Sequence, residues 1–284
     1  MKFSIIIPCY NDGHLAKLAI DSCLANAFPH CEIIVVDDGS TDDSWQQLTA
    51  TYSTEPRVRL IRKANGGLSS ARNAGILEAV GDYLLFLDSD DLLAPNYLNA
   101  VAATILREPS APDLVVMPFS FFADTKDSER ELQQRRDFFP PNLPAWPAAW
   151  RAMIRLNNFF PVSAAVIRRA VLTPDLQFDE TLRSHEDWDF WRRFMDRLQH
   201  VAYAPCLPAN VTRIRVRAGM SSNRAVMQAT YDEVHRRILQ QGGWGWLRQP
   251  GVYYVALKLV GLLSRVQRML PQVRQTHVLT DRAC

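Results

Sequence analysis

The 284-residue chain predicts an α/β fold built on one mostly parallel sheet flanked by helices. Three observations carry that expectation. Apolar runs of strand length recur without polar alternation, as in strands buried on both faces. Segments with helical period separate them, which imposes right-handed crossovers. Most of the runs stop abruptly at polar, turn-forming residues. In sheets of this kind ligands gather outside the carboxyl ends of the strands.

The first strand is Ser4-Ile5-Ile6-Ile7, closed by Pro8 and the loop Cys9-Tyr10-Asn11-Asp12-Gly13. From His14 the period is helical, with Leu15, Leu18, Ala19, Ser22 and Cys23 on one face. Ile33-Ile34-Val35-Val36 is the second strand and runs into Asp37-Asp38-Gly39-Ser40. Ser40 or Thr41 is suited to cap the next helix, with Asp42 and Asp43 in its first turn. Residues 58–61 make a third strand, and Asn65-Gly66-Gly67 turns into a helix over 69–80 that Gly81 closes. Residues 83–87 and 114–117 are the fourth and fifth strands.

Beyond them, 123–136 is charged and unpatterned, and 138–150, rich in proline and aromatics, forms a loop or flap. A second apolar stretch covers 162–171. Trp188, Trp191, Phe194, Met195 and Leu198 make a helical core stripe, with Arg192, Arg193, Asp196 and Arg197 away from it. Ser184 is placed to cap that helix, whose first turn holds Glu186 and Asp187. Residues 201–203 are a short strand, and 212–217 alternates basic and apolar residues, as along an edge lined with arginines. The last sixty residues are helical in pattern. Within them 251–270 is strongly apolar but interrupted by Lys258, too broken to span a membrane.

A hydrophobic share of 48% and a charged share of 22% are those of a soluble globular protein. The net charge of +2 makes no case for nucleic acid as a partner. Five cysteines without C-x-x-C spacing argue against a disulfide framework or zinc site and for a reducing compartment. The apolar run at the N-terminus is too short for a signal peptide, so a cytoplasmic protein is expected. No G-x-G-x-x-G follows the first strand, which excludes a dinucleotide-dependent oxidoreductase.

The chemistry collects where strands end. Tyr10-Asn11-Asp12, Asp37-Asp38, residues 65–72 and Asp88-Ser89-Asp90-Asp91 all follow strands directly. Asp88 and Asp90 have the spacing that lets alternate side chains at a strand end converge on one hard cation. A lone D-x-D can equally be a solvated turn, and Asp91 is suited to start the following helix.

These motifs, together with Ala71-Arg72-Asn73-Ala74-Gly75 and the Glu186-Asp187 pair, resemble the family 2 glycosyltransferases, nucleotide-sugar enzymes of the GT-A fold. The resemblance is dense over roughly the first 120 residues and sparser to about residue 225. It implies a GT-A domain over 1–225, with a nucleotide-sugar half (1–120) and an acceptor and catalytic half (121–225), and a helical extension over 226–284. Pro8, Tyr10, Asn11 and Asp12 would then line the nucleoside, Tyr10 stacking on the base unless it packs within its loop. Asp38 would accept a hydrogen bond from uracil, while Asp37 holds the amides of its own turn; Asn65, Gly66 and Ser89 would also lie along the nucleotide sugar. Asp90, with Asp88 nearby, would serve Mn²⁺ or Mg²⁺, and Asp88 the ribose as well.

For the reaction itself, the resemblance places the general base at Asp187, with Glu186 as the alternative. The first turn of a helix favours the ionised form a base needs. Arg72 is either a phosphate ligand or a surface helix arginine. Many members carry Arg-x-His where this chain has Arg215-Val216-Arg217, so Arg217, then Arg215, is assigned to the diphosphate. No Gln-x-x-Arg-Trp follows the Glu-Asp pair, which speaks against processive synthesis. The implied activity is inverting transfer from a UDP-sugar to a hydroxyl of a glycan or lipid-linked acceptor, in cell-surface polysaccharide assembly. Segment 251–270 would pack on the protein, mediate a dimer, or rest peripherally on the inner face of the membrane. The competing readings are a nucleotide-sugar-binding protein without turnover and a sugar nucleotidyltransferase, which would need a glycine- and arginine-rich loop after the first strand.

Overall fold

The computed structural model describes residues 1–124, 151, 154–155, 158, 161–204, 211–217 and 224–240. The first half runs β1 (Phe3–Cys9), α1 (Gly13–Leu24), β2 (Cys31–Asp37), α2 (Ser44–Tyr52), β3 (Val58–Arg62), α3 (Leu68–Glu78), β4 (Tyr83–Phe86), β5 (Leu92–Leu93) and α4 (Tyr97–Arg107). There follow β6 (Leu114–Val116), β7 (Phe119–Phe122), β8 (Ala165–Arg168), α5 (Glu186–Met195), β9 (Val201–Tyr203), β10 (Thr212–Arg215) and α6 (Arg224–Gln240).

Seven strands form the main sheet in the order β3-β2-β1-β4-β8-β6-β9. β1 pairs in parallel with β2 and β4, and β2 with β3, while β8 runs antiparallel between β4 and β6. Thus β8, from the 162–171 stretch, and β9 complete a sheet begun in the first half of the chain. β1 and β2 are buried along their whole length, which is why neither alternates with polar residues. Alternate side chains serve different faces. Ile5 and Ile7 join the core of α1 and α4, whereas Ile6 joins that of α3 and α5.

The chain winds outward from β1 to β3 and then returns to set β4 on the other side of β1. The switch point of the sheet therefore lies between β1 and β4, and in open α/β sheets ligands bind beyond the strand ends at such a point. A small second sheet, β5-β10-β7, adjoins it. β5 begins directly after Asp91 and pairs antiparallel with β10, which brings residues beyond 212 back to the acids at the end of β4. α5 is fastened to β4 by Phe178, which stacks on Phe190 at 4.1 Å and meets Phe86 edge-on at 5.1 Å.

Several local expectations are corrected. The buried face of α1 is Gly13, Ala16, Ala19, Ile20 and Cys23, and Leu18 is 48% exposed; small side chains, rather than the leucines, meet the sheet. α2 begins at Ser44, because Ser40 and Thr41 are spent on Asn11, and Asp42 instead accepts the Ser44 amide at 2.9 Å. α3 ends at Glu78, and Gly81 serves a close approach: a Cβ there would stand 2.6 Å from the Ser4 amide nitrogen. Ser184 does not cap α5. His185 precedes the helix in the left-handed region at φ 54°, and Ser184 lies beside its ring. The predicted stripe of α5 is buried, but so is Arg192, which pairs with Asp189 at 3.2 Å.

Cys9, Cys23 and Cys31 are free and buried. Among the described residues no helix is long and apolar enough to cross a membrane. The expectations for 138–150 and 251–270 lie outside the described residues.

Candidate active site

Four loops meet at the switch point, and hydrogen bonds knit them together. Asn11, at φ 51°, accepts the Thr41 amide at 2.8 Å and the Asp42 amide at 3.3 Å, while its own amide donates to the Ser40 hydroxyl at 2.9 Å. The loop after β1 is thereby tied to the loop after β2. Tyr10 beside it is 49% exposed, which overturns the packed-aromatic alternative. Pro8 stays buried within β1, opposite Val36.

Asp38 is buried at the end of β2, where its carboxylate closes the next turn. It accepts the Lys63 ammonium at 2.7 Å, the Gly66 amide at 3.0 Å and the Gly67 amide at 2.7 Å. Asn65 donates its side-chain amide to the Asp38 carbonyl at 2.9 Å. Gly39 is required at φ 72°, since a Cβ would lie 2.7 Å from the Asn65 nitrogen. Asp37 accepts the Ser40 amide at 3.3 Å, as its turn position suggested, and also pairs with Arg62 at 3.2 Å. Lys63 was missed by sequence reasoning, though parallel pairing of Asp37 with Arg62 sets Lys63 beside Asp38.

The acids after β4 divide into three roles. Asp12 accepts the Ser89 hydroxyl at 3.1 Å and Arg217 at 2.5 Å, and Arg217 also pairs with Asp90 at 2.9 Å. One guanidinium thus bridges the loops after β1 and β4. Burial, with the charge of Asp88 adding to it, pushes the Asp90 carboxyl up to about 6 against the opposing pull of Arg217. Asp91 does not start a helix, since α4 begins only at Tyr97. It is buried, accepts the Ser163 hydroxyl at 2.7 Å and the Arg215 amide at 3.0 Å, and pins β10 to the end of β4.

The three arginines differ in their surroundings. Arg72 is only 2% exposed, so it is no surface helix arginine. Its terminal nitrogens donate to Asp88 at 2.7 Å and Glu186 at 2.8 Å, carboxylates where a phosphate was one expectation. Arg215 is likewise engaged within the protein. It donates to the Asp90 carbonyl at 2.9 Å, pairs with Asp124 and lies 4.6 Å from the centre of the Phe122 ring. Arg217, one strand repeat further on and past the end of β10, is more than a third exposed.

Asp187 is half-buried at the first turn of α5. It accepts Asn158 at 2.6 Å and the Trp188 amide at 2.8 Å. Burial and the neighbouring Glu186 push its carboxyl up to about 6, against the lowering effect of Arg72. This reverses the expectation that a helix start would favour the ionised form: desolvation outweighs a dipole effect of at most ~2 kcal/mol. A carboxyl in that range is better matched to accept a proton near neutral pH. Nothing in the sequence signals Asn158.

Among the described residues no three His, Cys, Asp or Glu side chains form a metal cluster. Asp88 and Asp90 supply two carboxylates, the number that suffices for Mg²⁺ when waters and substrate phosphates fill its other positions. Excess negative charge around Asp90 suits a cation, so the donor set fits.

A switch-point sheet with clustered acids and a Glu-Asp turn across from them defines an α/β transferase of the GT-A class. The chain belongs to glycosyl transferase family 2, whose model matches residues 4–173. Its sequence is 36% identical over 142 residues to the uncharacterized glycosyltransferase EpsJ of Bacillus subtilis, covering 50% of this chain and 38% of that protein. It is 37% identical over 105 residues to a chondroitin synthase of Pasteurella multocida, covering 37% of this chain and 11% of that protein. The fold is similar to S. aureus TarS 1–349 solved in complex with UDP-GlcNAc, with a TM-score of 0.66 and 23% identity over 97% of this chain and 77% of that one.

Proposed function

We propose that the chain is a non-processive, inverting glycosyltransferase that moves a sugar from a UDP-sugar to a hydroxyl of a glycan or lipid-linked acceptor. The observation that carries the reading is the junction of two acid groups through Arg72: the D-x-D loop on one side and the Glu186–Asp187 turn on the other. The structure of TarS with UDP-GlcNAc and the likeness to a chondroitin synthase support a nucleotide-sugar donor and a polysaccharide product.

In this reading Tyr10 stacks on the base, and the Asp38 and Asn65–Gly66 turn fixes the nucleoside end. Asp88 and Asp90 would hold Mn²⁺ or Mg²⁺, which when bound would supply positive charge for the departing diphosphate. Arg217, tied to Asp12 and Asp90 in the free protein, is the side chain available to the diphosphate. Asp187 takes the proton of the acceptor hydroxyl as its oxygen bonds to the anomeric carbon. The bond from that carbon to the diphosphate oxygen breaks in the same displacement, and its electron pair leaves with the UDP. Asn158 and the Trp188 amide hold both oxygens of the base in place.

The test is Asp187→Asn, which keeps shape and removes the base. Transfer should fall by at least about 100-fold while UDP binding, measured by calorimetry, stays at the wild-type value. Full transfer by this variant would remove Asp187 from the mechanism. UDP binding by the wild type without any transfer or slow donor hydrolysis would favour a binding protein instead.

A further inference from the structure

We propose that Arg72 is a positioning residue of the transfer reaction: a buried strut that fixes the Glu186–Asp187 turn against Asp88 and supplies the positive field in which Asp187 works. This rests on Asp187 being the base and goes beyond it, because Arg72 reaches neither the acceptor nor the base directly.

Two consecutive residues of α3 grip the segment that leads into α5. Asn73 donates to the Phe178 carbonyl at 2.9 Å and accepts the Phe178 amide at 2.8 Å. Arg72 then spans from Glu186 at 2.8 Å to Asp88 at 2.7 Å. Between the two grips the chain passes through His185 in the left-handed region, a conformation that costs a non-glycine residue of order 1 kcal/mol and persists only where its surroundings impose it. The turn carrying the base is thus held from the donor side of the site, and Arg72 is the link.

Stability alone does not account for a guanidinium here. Taking charges out of water is expensive, and replacing a buried ion triad by apolar side chains is often neutral or stabilising. Arg72 is 2% exposed, its Nε has no hydrogen-bond partner among the described residues, and its guanidinium carbon lies 5.2 Å from the centre of the Phe178 ring. An apolar residue in α3 would fill the same space against Phe178. What it would not supply is a fixed positive charge between two acids.

The groups around Asp187 make that charge consequential. Glu186 raises its carboxyl from the same helix, Arg72 lowers it from α3, and its direct partners Asn158 and the Trp188 amide are uncharged. His185, which precedes the pair, is kept towards its neutral form by burial.

The experiment is the pH profile of kcat for Arg72→Gln, Arg72→Lys and Glu186→Gln beside wild type, with UDP affinity measured by calorimetry. Arg72→Gln removes the charge, so the acid limb should move up by about one pH unit and kcat should fall about 100-fold, with the donor KM no higher than threefold above wild type. Arg72→Lys keeps the charge but cannot span both carboxylates, so the limb should stay in place while kcat falls roughly tenfold. Glu186→Gln should shift the limb the other way, downward. A merely structural arginine would give equal losses in the Gln and Lys variants with an unmoved limb, and that result overturns the proposal. Should Arg72→Gln fail to fold, Arg72→Met, which fills the space without the charge, takes its place, and an unmoved limb there overturns the proposal too. Asp187→Asn with full activity would sink the base itself; an inactive Asp187→Asn with unmoved limbs would sink only the strut.

Discussion

Asp90 lies in the loop after β4 and Asp187 in the first turn of α5, two segments that Arg72 joins, and both carboxyls are pushed up to about 6. In each case burial is the larger cause and a neighbouring acid the second. Relief comes from different directions. Asp90 shares its surroundings with Asp88 and Asp12, and Arg217 already bridges two of these three acids. Such a cluster is most readily settled by more positive charge. Asp187 has Glu186 beside it, and its oxygens accept the uncharged donors Asn158 and the Trp188 amide; in the proposed mechanism burial and Glu186 make it ready to take a proton. Under the proposed mechanism, equal acidity would then serve a cation at Asp90 and a proton at Asp187.

The largest expected effects come from breaking the two sides separately. Asp90→Asn should reduce transfer by roughly 1,000-fold and abolish the Mn²⁺ dependence of UDP binding. Asp187→Asn should cost transfer on a similar scale and leave Mn²⁺-dependent UDP binding intact. Calorimetry with and without Mn²⁺ separates them, and a wild-type response from Asp90→Asn would dissolve the contrast.

Asp91 sharpens the comparison because it belongs to the same run of acids but is buried, with its bonds made inside the fold. Its oxygens accept the Ser163 hydroxyl and the Arg215 amide. Asp91→Ala would leave buried donors unpaired and should cost about 2–3 kcal/mol, a fall of roughly 5–10 °C in Tm for a chain of this size. Thermal unfolding checks it. A variant as stable as wild type would mean that β10 is held to the strand end by other contacts.

The donor side was the more legible of the two in the sequence, and the reason is local. Its parts are short motifs at strand ends, and a parallel sheet brings successive strand ends to one edge. The run of acids and the Asn65–Gly67 turn therefore announced themselves. What the sequence concealed was how charges pair once the chain is folded. Arg72 and Arg217 look alike as isolated basic residues, yet α3 buries the first between two acids while the second lies past the end of β10, the middle strand of the small sheet. Asp91 was misjudged because its partners sit 72 and 124 residues away. The Glu186–Asp187 turn stood out by its motif, but the acidity of Asp187 did not, since burial depends on α5 docking against β4 through Phe178 and Phe190. Asn158 had no periodicity or motif to reveal it.

A smaller effect follows from pH. The base works only as the carboxylate, so a raised carboxyl loses function as the pH falls through its own value. With Asp187 at about 6, kcat should be level above about pH 7 and fall roughly tenfold per unit below about pH 6. An unshifted carboxylate would hold that plateau to near pH 4. Measured at saturating donor and Mn²⁺, a plateau persisting to pH 4.5 would show that burial does not govern the base in the loaded enzyme.

The smallest expected effect lies at the outer end of the donor side, where geometry alone is involved. Tyr10 is 49% exposed beside Asn11, whose bonds to Thr41 and Asp42 keep the loop after β1 in one conformation. A ring presented this way can stack on a base with little ordering cost, because its backbone is already fixed. Tyr10→Ala should weaken UDP binding by about 1 kcal/mol, near fivefold, since a half-open face also leaves the base in contact with water. Tyr10→Phe keeps the face and should bind as wild type does. Neither variant should change kcat at saturating donor, because in the proposed reading the ring holds the nucleotide and takes no part in the proton transfer. A tenfold fall in kcat for Tyr10→Ala with unchanged UDP affinity would place the ring on the attack side and redraw the division between the two.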